Sequence, residues 1–282
     1  KVGKKVRVKK ILDIRNFPGD KFSGKLTKNS DEVFNDPDIS IVVETIGGVN
    51  AAYEFTKRAF NAGKNVVTSN KELIATHGPE LLRIASSKKL NYLFEASVGG
   101  GIPIIRPLIK SFGSEKINYI FGILNGTTNY ILTKMKNDSL SFDDALAEAQ
   151  ELGFAEQNPK DDIQGMDACR KLAILSSIVL GEFVDYRNIY TQGIEKITYS
   201  DILYADRLGY KIKLVASFKN NDDNTFEAFV APVFLPDKSP LTVADGVYNA
   251  ILVEGNAVGS SMFYGKGAGK MATASAVVSD II

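Results

Sequence analysis

Cysteine and histidine are all but missing from this chain. Of 282 residues, one is cysteine, Cys169, and one is histidine, His77. A single thiol excludes an internal disulfide framework and fits a reducing compartment, so a cytoplasmic setting is expected. One of each cannot build a Cys/His zinc site, and a Ser-His-Asp triad would have to pass through His77. An excess of either charge is also absent. The formal net charge is +1, which leaves no basic footprint for nucleic acid or for an anionic membrane. No apolar run approaches the roughly 20 residues of a membrane-spanning helix, and no signal-peptide pattern opens the chain. Acid–base chemistry is thereby left to lysine, aspartate, glutamate and tyrosine. What is present is ordinary for a globular protein: 44% hydrophobic and 24% charged residues, enough core for one large domain or two moderate ones.

Two styles of patterning divide the chain. In the first, "VRVKKILDI" (6–14) reads as a strand and is followed by a Pro18–Gly19 turn. "DPDISIVVETIGG" (36–48) reads as a turn and a strand buried on both faces. A helix over about 50–62, a strand "KNVVTSNK" (64–71), a helix over about 78–88 and a strand "NYLFEAS" (91–97) complete the series. Such alternation predicts right-handed parallel crossovers in an open α/β sheet. After residue 110, a strand at 116–124 feeds a helix capped by Thr or Asn in "NGTTNY". A helix over 141–153 follows, with a Ser141/Asp144 capping box, and then one over 167–180. Strands dominate from 211 to 265, which predicts a mixed α+β unit. A glycine turn and a terminal helix close the chain.

In an open parallel sheet, ligands sit beyond the carboxyl ends of the strands. Three such ends carry unusual residues: "ETIGG" (44–48), "TSNKE" (68–72) and "EASVGGGIP" (95–103). The last is a loop able to turn carbonyls toward one point beside Glu95, an oxygen-only set that suits a hard cation; a tight turn without an ion is the plainer reading. "GFAEQNPKDDIQGMDACRK" (153–171) gathers Glu156, Asp161, Asp162, Asp167, Arg170 and Lys171. Lys171 borders the apolar stripe 168, 172, 175 and 179, with Asp167 one helical turn before it. A lysine on such an edge is costly to desolvate unless a partner or a task retains it. Ordinary surface ion pairs are the plainer alternative for the run as a whole.

Five stretches together are similar to homoserine dehydrogenase: "VVTSNKELIATHG", "FEASVGGGIPIIRPL", "GILNGTTNYILTKM", "AQELGFAEQNPKDDIQGMDACRKLAIL" and "MFYGKGAGKMATASAVVSDII". The resemblance covers nearly the whole chain, in order. It implies a Rossmann-type cofactor domain over 1–107, rejoined by 266–282, and an α+β catalytic and dimerisation domain over 108–265. It implies a small-molecule reaction, the NADP- or NAD-dependent interconversion of L-aspartate 4-semialdehyde and L-homoserine on the route to threonine, methionine and isoleucine. By resemblance Lys171 is the proton donor and Lys71 a second lysine at the reacting centre. Glu156, Asp167 and Thr127 are implied to hold substrate, and Thr45, Lys71 and Gly267 to contact the cofactor. Glu95 by its side chain, with Val98, Gly100 and Ile102 by their carbonyls, is implied to form a sodium site, and the family resemblance implies a homodimer.

One expected feature is missing. The family opens with a strand and a G-x-G-x-x-G turn for the pyrophosphate, and nothing like it precedes "VRVKKILDI". The first strand and its glycine-rich turn are therefore expected to be absent from this chain, which as written would bind cofactor poorly. A non-catalytic nucleotide-sensing or assembly protein on the same fold is the competing expectation. Asp13 would favour the ribose hydroxyl of NAD and Arg15 the phosphate of NADP, so the preference stays open.

Overall fold

The computed structural model describes residue 3, residues 5–221, residue 223 and residues 225–282. Short parallel strands separated by helices make up the first half: β1 (Ile11–Leu12), β2 (Leu26–Thr27), α1 (Asp31–Phe34), β3 (Ile41–Glu44), α2 (Asn50–Asn61), β4 (Asn65–Thr68), α3 (Lys71–Ser87) and β5 (Tyr92–Leu93). The parallel strands form two sheets, β1–β2 and β3–β4–β5, with Ile41 opposite Asn65 and Glu44 opposite Thr68 in the second. Among the described residues no strand joins the two sheets. The strand expected over 6–14 shrinks accordingly to Ile11–Leu12, because Val6 and Val8 stand exposed with no ladder beside them.

Two boundaries differ from the sequence reading in ways that matter. The helix expected from 78 begins at Lys71, where the Asn70 side chain accepts from the Leu73 N–H and caps it. Pro79 lies inside this helix rather than at its start. Lys71 is therefore the first residue of a helix, not the last of a strand. The strand expected over 91–97 stops at Leu93, and Glu95–Ser97 forms a single 3-10 turn.

The second half contains α4 (Ile105–Lys110), β6 (Ile117–Ile123), α5 (Gly126–Asn137), α6 (Phe142–Glu151), α7 (Lys160–Ile163), α8 (Met166–Leu180), β7 (Tyr190–Thr191), α9 (Tyr199–Arg207), β8 (Tyr210–Asn220), β9 (Phe226–Pro236), β10 (Tyr248–Gly255), β11 (Gly259–Lys266) and α10 (Lys270–Ile281). Its six strands run in the order β11-β10-β6-β8-β9-β7, antiparallel except for the β7–β9 pair. At α6 the expected reciprocal box is half made. Ser141 Oγ accepts from Asp144 N–H, but Oγ also donates to the Asp144 carboxylate, which leaves the Ser141 N–H without that partner.

Helix α8 is the hinge of the architecture. It packs on β8 and β9 on one side and on α3 and α4 on the other. Gly165, at φ 84°, starts it in the left-handed region, where a side chain would be strained and would press Thr191 Cγ2 at 3.1 Å. One apolar core runs from Phe34 and Phe60 through Leu172 and Leu175 to Phe218 and Val253, so both halves share it. Helix α10 leaves the second half and returns to the parallel sheet, where Ala276 and Val277 pack with Val67 and Ala96. No helix of the described residues is long and apolar enough to cross a membrane.

Candidate functional site

The parallel strands end in polar groups that lock one another. Glu44, at the end of β3, accepts from Thr68 Oγ1 at 2.6 Å and from the Ile46 N–H at 2.7 Å. Thr68 Oγ1 accepts in turn from the Asn70 N–H at 2.9 Å, and Asn70 Nδ2 donates to the Gly48 carbonyl at 2.7 Å. The loop carrying Thr45 and the helix start carrying Lys71 are thereby held to each other. Thr45 is exposed.

Lys71 reaches the second half of the molecule. Its Nζ lies 3.0 Å from Asp167 Oδ1, and the other carboxylate oxygen, Oδ2, takes a 2.7 Å bond from Lys171 Nζ. Lys171 also donates to the Leu124 carbonyl at 2.7 Å. Among the described residues its third N–H meets no acceptor. One carboxylate thus bridges two ammonium groups across the junction of α3 and α8. Burial opposes the charge on Asp167, yet Lys171 and Lys71 outweigh it and hold the carboxyl well below the ordinary carboxylate range. Burial likewise opposes the charge on Lys71, and Asp167 overrides it to raise that ammonium above its ordinary value. A second ionic crossing lies alongside, where Arg170 pairs with Asp161 at 2.7 Å and lies 3.6 Å from Glu72.

The sequence reading gathered Asp162 with Asp167 but did not foresee what joins them. Asp162 sits beside Asp167, its carboxyl raised by burial and then by the Asp167 charge. Asn125, read only as a possible helix cap, touches both carboxylates through its Nδ2, at 2.6 Å to Asp162 and 2.8 Å to Asp167. Nothing local to "NGTTNY" signals that second task. Thr127 donates to the Phe154 carbonyl at 2.7 Å, tying the start of α5 to the loop that carries Glu156. Glu156 itself is exposed and stands outside the buried bridge.

Gly267 is seated against the glycine loop. A Cβ on Gly100 would fall 2.4 Å from the Gly267 carbonyl oxygen, and one on Gly267 would fall 1.9 Å from Asn249 Nδ2. Only glycine permits this approach. Asn249 is buried, and neither polar atom of its side chain has a hydrogen-bond partner among the described residues.

Glu95 has partners that differ from the expected set. Its Oε1 accepts from the N–H groups of Ile104 and Ile105, at 2.7 and 2.8 Å, and Oε2 from that of Arg106 at 2.7 Å. The carboxylate is first of all the cap of α4. No backbone hydrogen bond ends on the carbonyls of Val98, Gly100 or Ile102 among the described residues.

Other candidates resolve simply. Asp13 and Arg15 pair with each other at 2.8 Å, with Arg15 largely exposed. Cys169 is buried, its thiol raised by that burial and donating to the Tyr186 carbonyl at 3.3 Å, a packing residue and not a reactive one. A cavity of about 550 Å³ opens between α3, α4 and the far half of α8, lined by Ile74, Leu82, Ile105, Ile174 and Phe183; neither lysine of the bridge lines it.

A parallel-stranded half whose strand ends meet an α+β half across a buried Lys–Asp–Lys bridge defines a two-domain α/β protein with its charged site at the junction. Comparison with known proteins narrows that class. The family profile described as homoserine dehydrogenase matches residues 103–282, and the one described as homoserine dehydrogenase, NAD binding domain, matches residues 3–95. This chain belongs to the homoserine dehydrogenase family. It is 45% identical over 257 residues to homoserine dehydrogenase of Bacillus subtilis, covering 91% of this chain and 59% of the relative. To that of Pseudomonas aeruginosa it is 42% identical over 283 residues, covering 100% and 65%. Among solved structures, a homoserine dehydrogenase from Thiobacillus denitrificans aligns with a TM-score of 0.88 and 45% identity, over 91% of this chain and 59% of that one. A hyperthermophilic archaeal homoserine dehydrogenase in complex with NADPH aligns with a TM-score of 0.78 and 32% identity, over 90% and 73%. The chain spans about three-fifths of the length of the bacterial relatives it matches.

Proposed function

We propose that this chain carries the catalytic core of a homoserine dehydrogenase, interconverting L-homoserine and L-aspartate 4-semialdehyde with NADP or NAD, on the route to threonine, methionine and isoleucine. The observation that carries the reading is the buried Lys71–Asp167–Lys171 bridge, with one Lys171 N–H uncommitted. When bound, the nicotinamide supplies or accepts the hydride. As the aldehyde is reduced, negative charge grows on its oxygen, and the Lys171 ammonium stabilises that charge and then delivers a proton to it. In the reverse direction the neutral amine takes the hydroxyl proton. Asp167 anchors Lys171 through both directions and holds Lys71 as a second cation beside it. Glu156, exposed on its loop, receives the substrate ammonium, and Thr127 positions that loop through Phe154.

Thr45, Lys71 and Gly267 are the residues that would hold the cofactor, and the bare backbone where Gly100 backs Gly267 fits a close approach. The reading includes a sodium ion held by Glu95 and the carbonyls of Val98, Gly100 and Ile102. Those three uncommitted carbonyls support it, as does Glu95 Oε2, which carries one N–H where Oε1 carries two. The working division is a cofactor domain over 1–107 with 266–282 and a catalytic and dimerisation domain over 108–265, in a cytoplasmic homodimer. Supporting the dimer, the sheet face away from α8 presents half-exposed Tyr119, Phe121 and Leu252 beside exposed Met262 and Tyr264.

The test is oxidation of NADPH or NADH by the full-length protein with L-aspartate 4-semialdehyde, and the reverse reaction with L-homoserine. Turnover with either nucleotide is the expected result. A folded protein that turns over neither substrate overturns the reading.

A further inference from the structure

We propose that Asn125 is a positioning residue whose side-chain amide ties the Asp162 and Asp167 carboxylates into one unit and so aims Asp167 at the two lysines. The inference rests on the reaction proposed above for its kinetic test, but not for its structural one.

Every polar atom of this side chain is committed. Nδ2 spends its two N–H groups on two carboxylates, Asp162 at 2.6 Å and Asp167 at 2.8 Å. Oδ1 accepts from the Thr128 N–H at 2.8 Å and from Thr128 Oγ1 at 3.0 Å. A half-turn of the amide would set its carbonyl against both carboxylates, so the orientation is fixed by chemistry. The residue is 4% exposed, and water cannot readily replace these bonds. Serine, threonine or aspartate would cap α5 as well as asparagine does. Only an amide caps with one end while donating twice with the other, which is what two neighbouring buried carboxylates require.

The consequence falls on Asp167. Its Oδ2 is shared between Lys171 Nζ and Asn125 Nδ2, which leaves Oδ1 to Lys71. The charged groups facing Asp167 are Lys71 from α3, itself beside Glu72, Lys171 from α8 and Asp162 from α7. Without the amide no donor ties the two carboxylates together, and Asp162 keeps only the more distant charges of Lys171 and Lys71 against the repulsion of Asp167. One then takes up a proton or swings away, and the anchor of Lys171 loosens.

Asn125→Ser and Asn125→Asp both keep a capping oxygen and remove the double donor. For homoserine oxidation each is expected to lower kcat by about 10- to 100-fold, as a small misplacement of a reacting group does. The acid limb of kcat/KM should move to higher pH while the cofactor KM is held. A folded variant of either kind with the parental kcat and pH profile overturns the proposal. Carboxyl-carbon NMR titration of the parent and Asn125→Ser supplies a readout independent of turnover. An upward shift in the midpoints of Asp162 and Asp167 supports the strut, and unchanged midpoints overturn it even if the parent has no homoserine activity. Parental inactivity with the upward shift would instead count against the proposed reaction alone.

Discussion

Three described lysines lose nearly all contact with solvent, Lys64, Lys171 and Lys213, and two of them have a carboxylate in bonding reach: Lys171 is 8% exposed and Lys213, on β8, is 2% exposed. Lys213 Nζ donates to Asn129 Oδ1 at 2.7 Å and to the Ala244 carbonyl and Asp245 Oδ1, both at 2.8 Å. An ammonium has three N–H groups, and all three are used. Lys171 donates to two acceptors and keeps one N–H in hand. The partners differ as well. Both carboxylates sit between two cations, but Asp245, 2.8 Å from Lys213 and 3.6 Å from Lys211, is half-exposed, whereas Asp167, between Lys171 and Lys71, is buried. Burial alone therefore does not mark a working lysine, nor does a spare donor, since buried Lys64 also donates to only two acceptors, the Asp36 and Ile39 carbonyls; a spare donor beside a buried carboxylate does.

The sharpest way to break this contrast is to remove each ammonium in turn. Lys171→Met should lower homoserine turnover by about 10²–10⁴-fold, the usual worth of a positioned proton donor, with cofactor affinity held. Lys213→Met should leave turnover nearly unchanged, and comparable losses in the two variants would erase the distinction. The next effect is on stability. Lys213→Met strands the buried Asn129 Oδ1, while the Ala244 carbonyl keeps its bond from Asn129 Nδ2; the loss of about 1–3 kcal/mol is read as a lower melting temperature.

Acid and alkali sharpen the comparison further. The Asp167 carboxyl lies below its ordinary 3.8 when folded, so its contribution is complete above about pH 4 and fades as pH falls through the folded value. The melting difference between parent and Asp167→Asn should hold flat from neutrality to about pH 4 and shrink in stronger acid. The Lys71 contribution is complete below its ordinary 10.5 and fades above it, because its folded value is raised. Lys213 runs the other way. Burial lowers its folded value, so its contribution grows as pH climbs toward 10.5, and Lys213→Met should abolish that rise. The smallest effect belongs to Glu95→Gln, which turns one of the α4 caps from acceptor to donor. A loss of about 1–2 kcal/mol in denaturant unfolding is expected, and any sodium response of turnover should go with it.

How much of this was legible depended on distance along the chain. Asp167 and Lys171 lie four residues apart on one helix, and helical periodicity alone put them side by side. The long antiparallel strands were readable for the same reason, since alternation and pairing agree over β8 to β11. Lys71 was harder. The proline at 79 pulls a sequence reading of the helix toward its second half, while the structure starts that helix at an asparagine cap nine residues earlier. Asn125 was harder still, because its partners lie 37 and 42 residues on and no local pattern announces them. Glu95 advertised a carboxylate beside a glycine loop, but the amides that claim it come from the next helix. The parallel strands came out shorter than their apolar runs, because a run becomes a strand only as far as a neighbour ladders against it.

The return of α10 to the parallel sheet carries a consequence for biogenesis. Val67 and Ala96 gain their apolar cover from Ala276 and Val277, and the Glu95 N–H finds its acceptor in Asp280. Those partners leave the ribosome almost two hundred residues after the strands they complete. The first half therefore waits, unsealed on that face, until α10 has been made. In this chain the order of manufacture and the order of completion are opposed, and the twelve-residue α10 acts as the closing stitch.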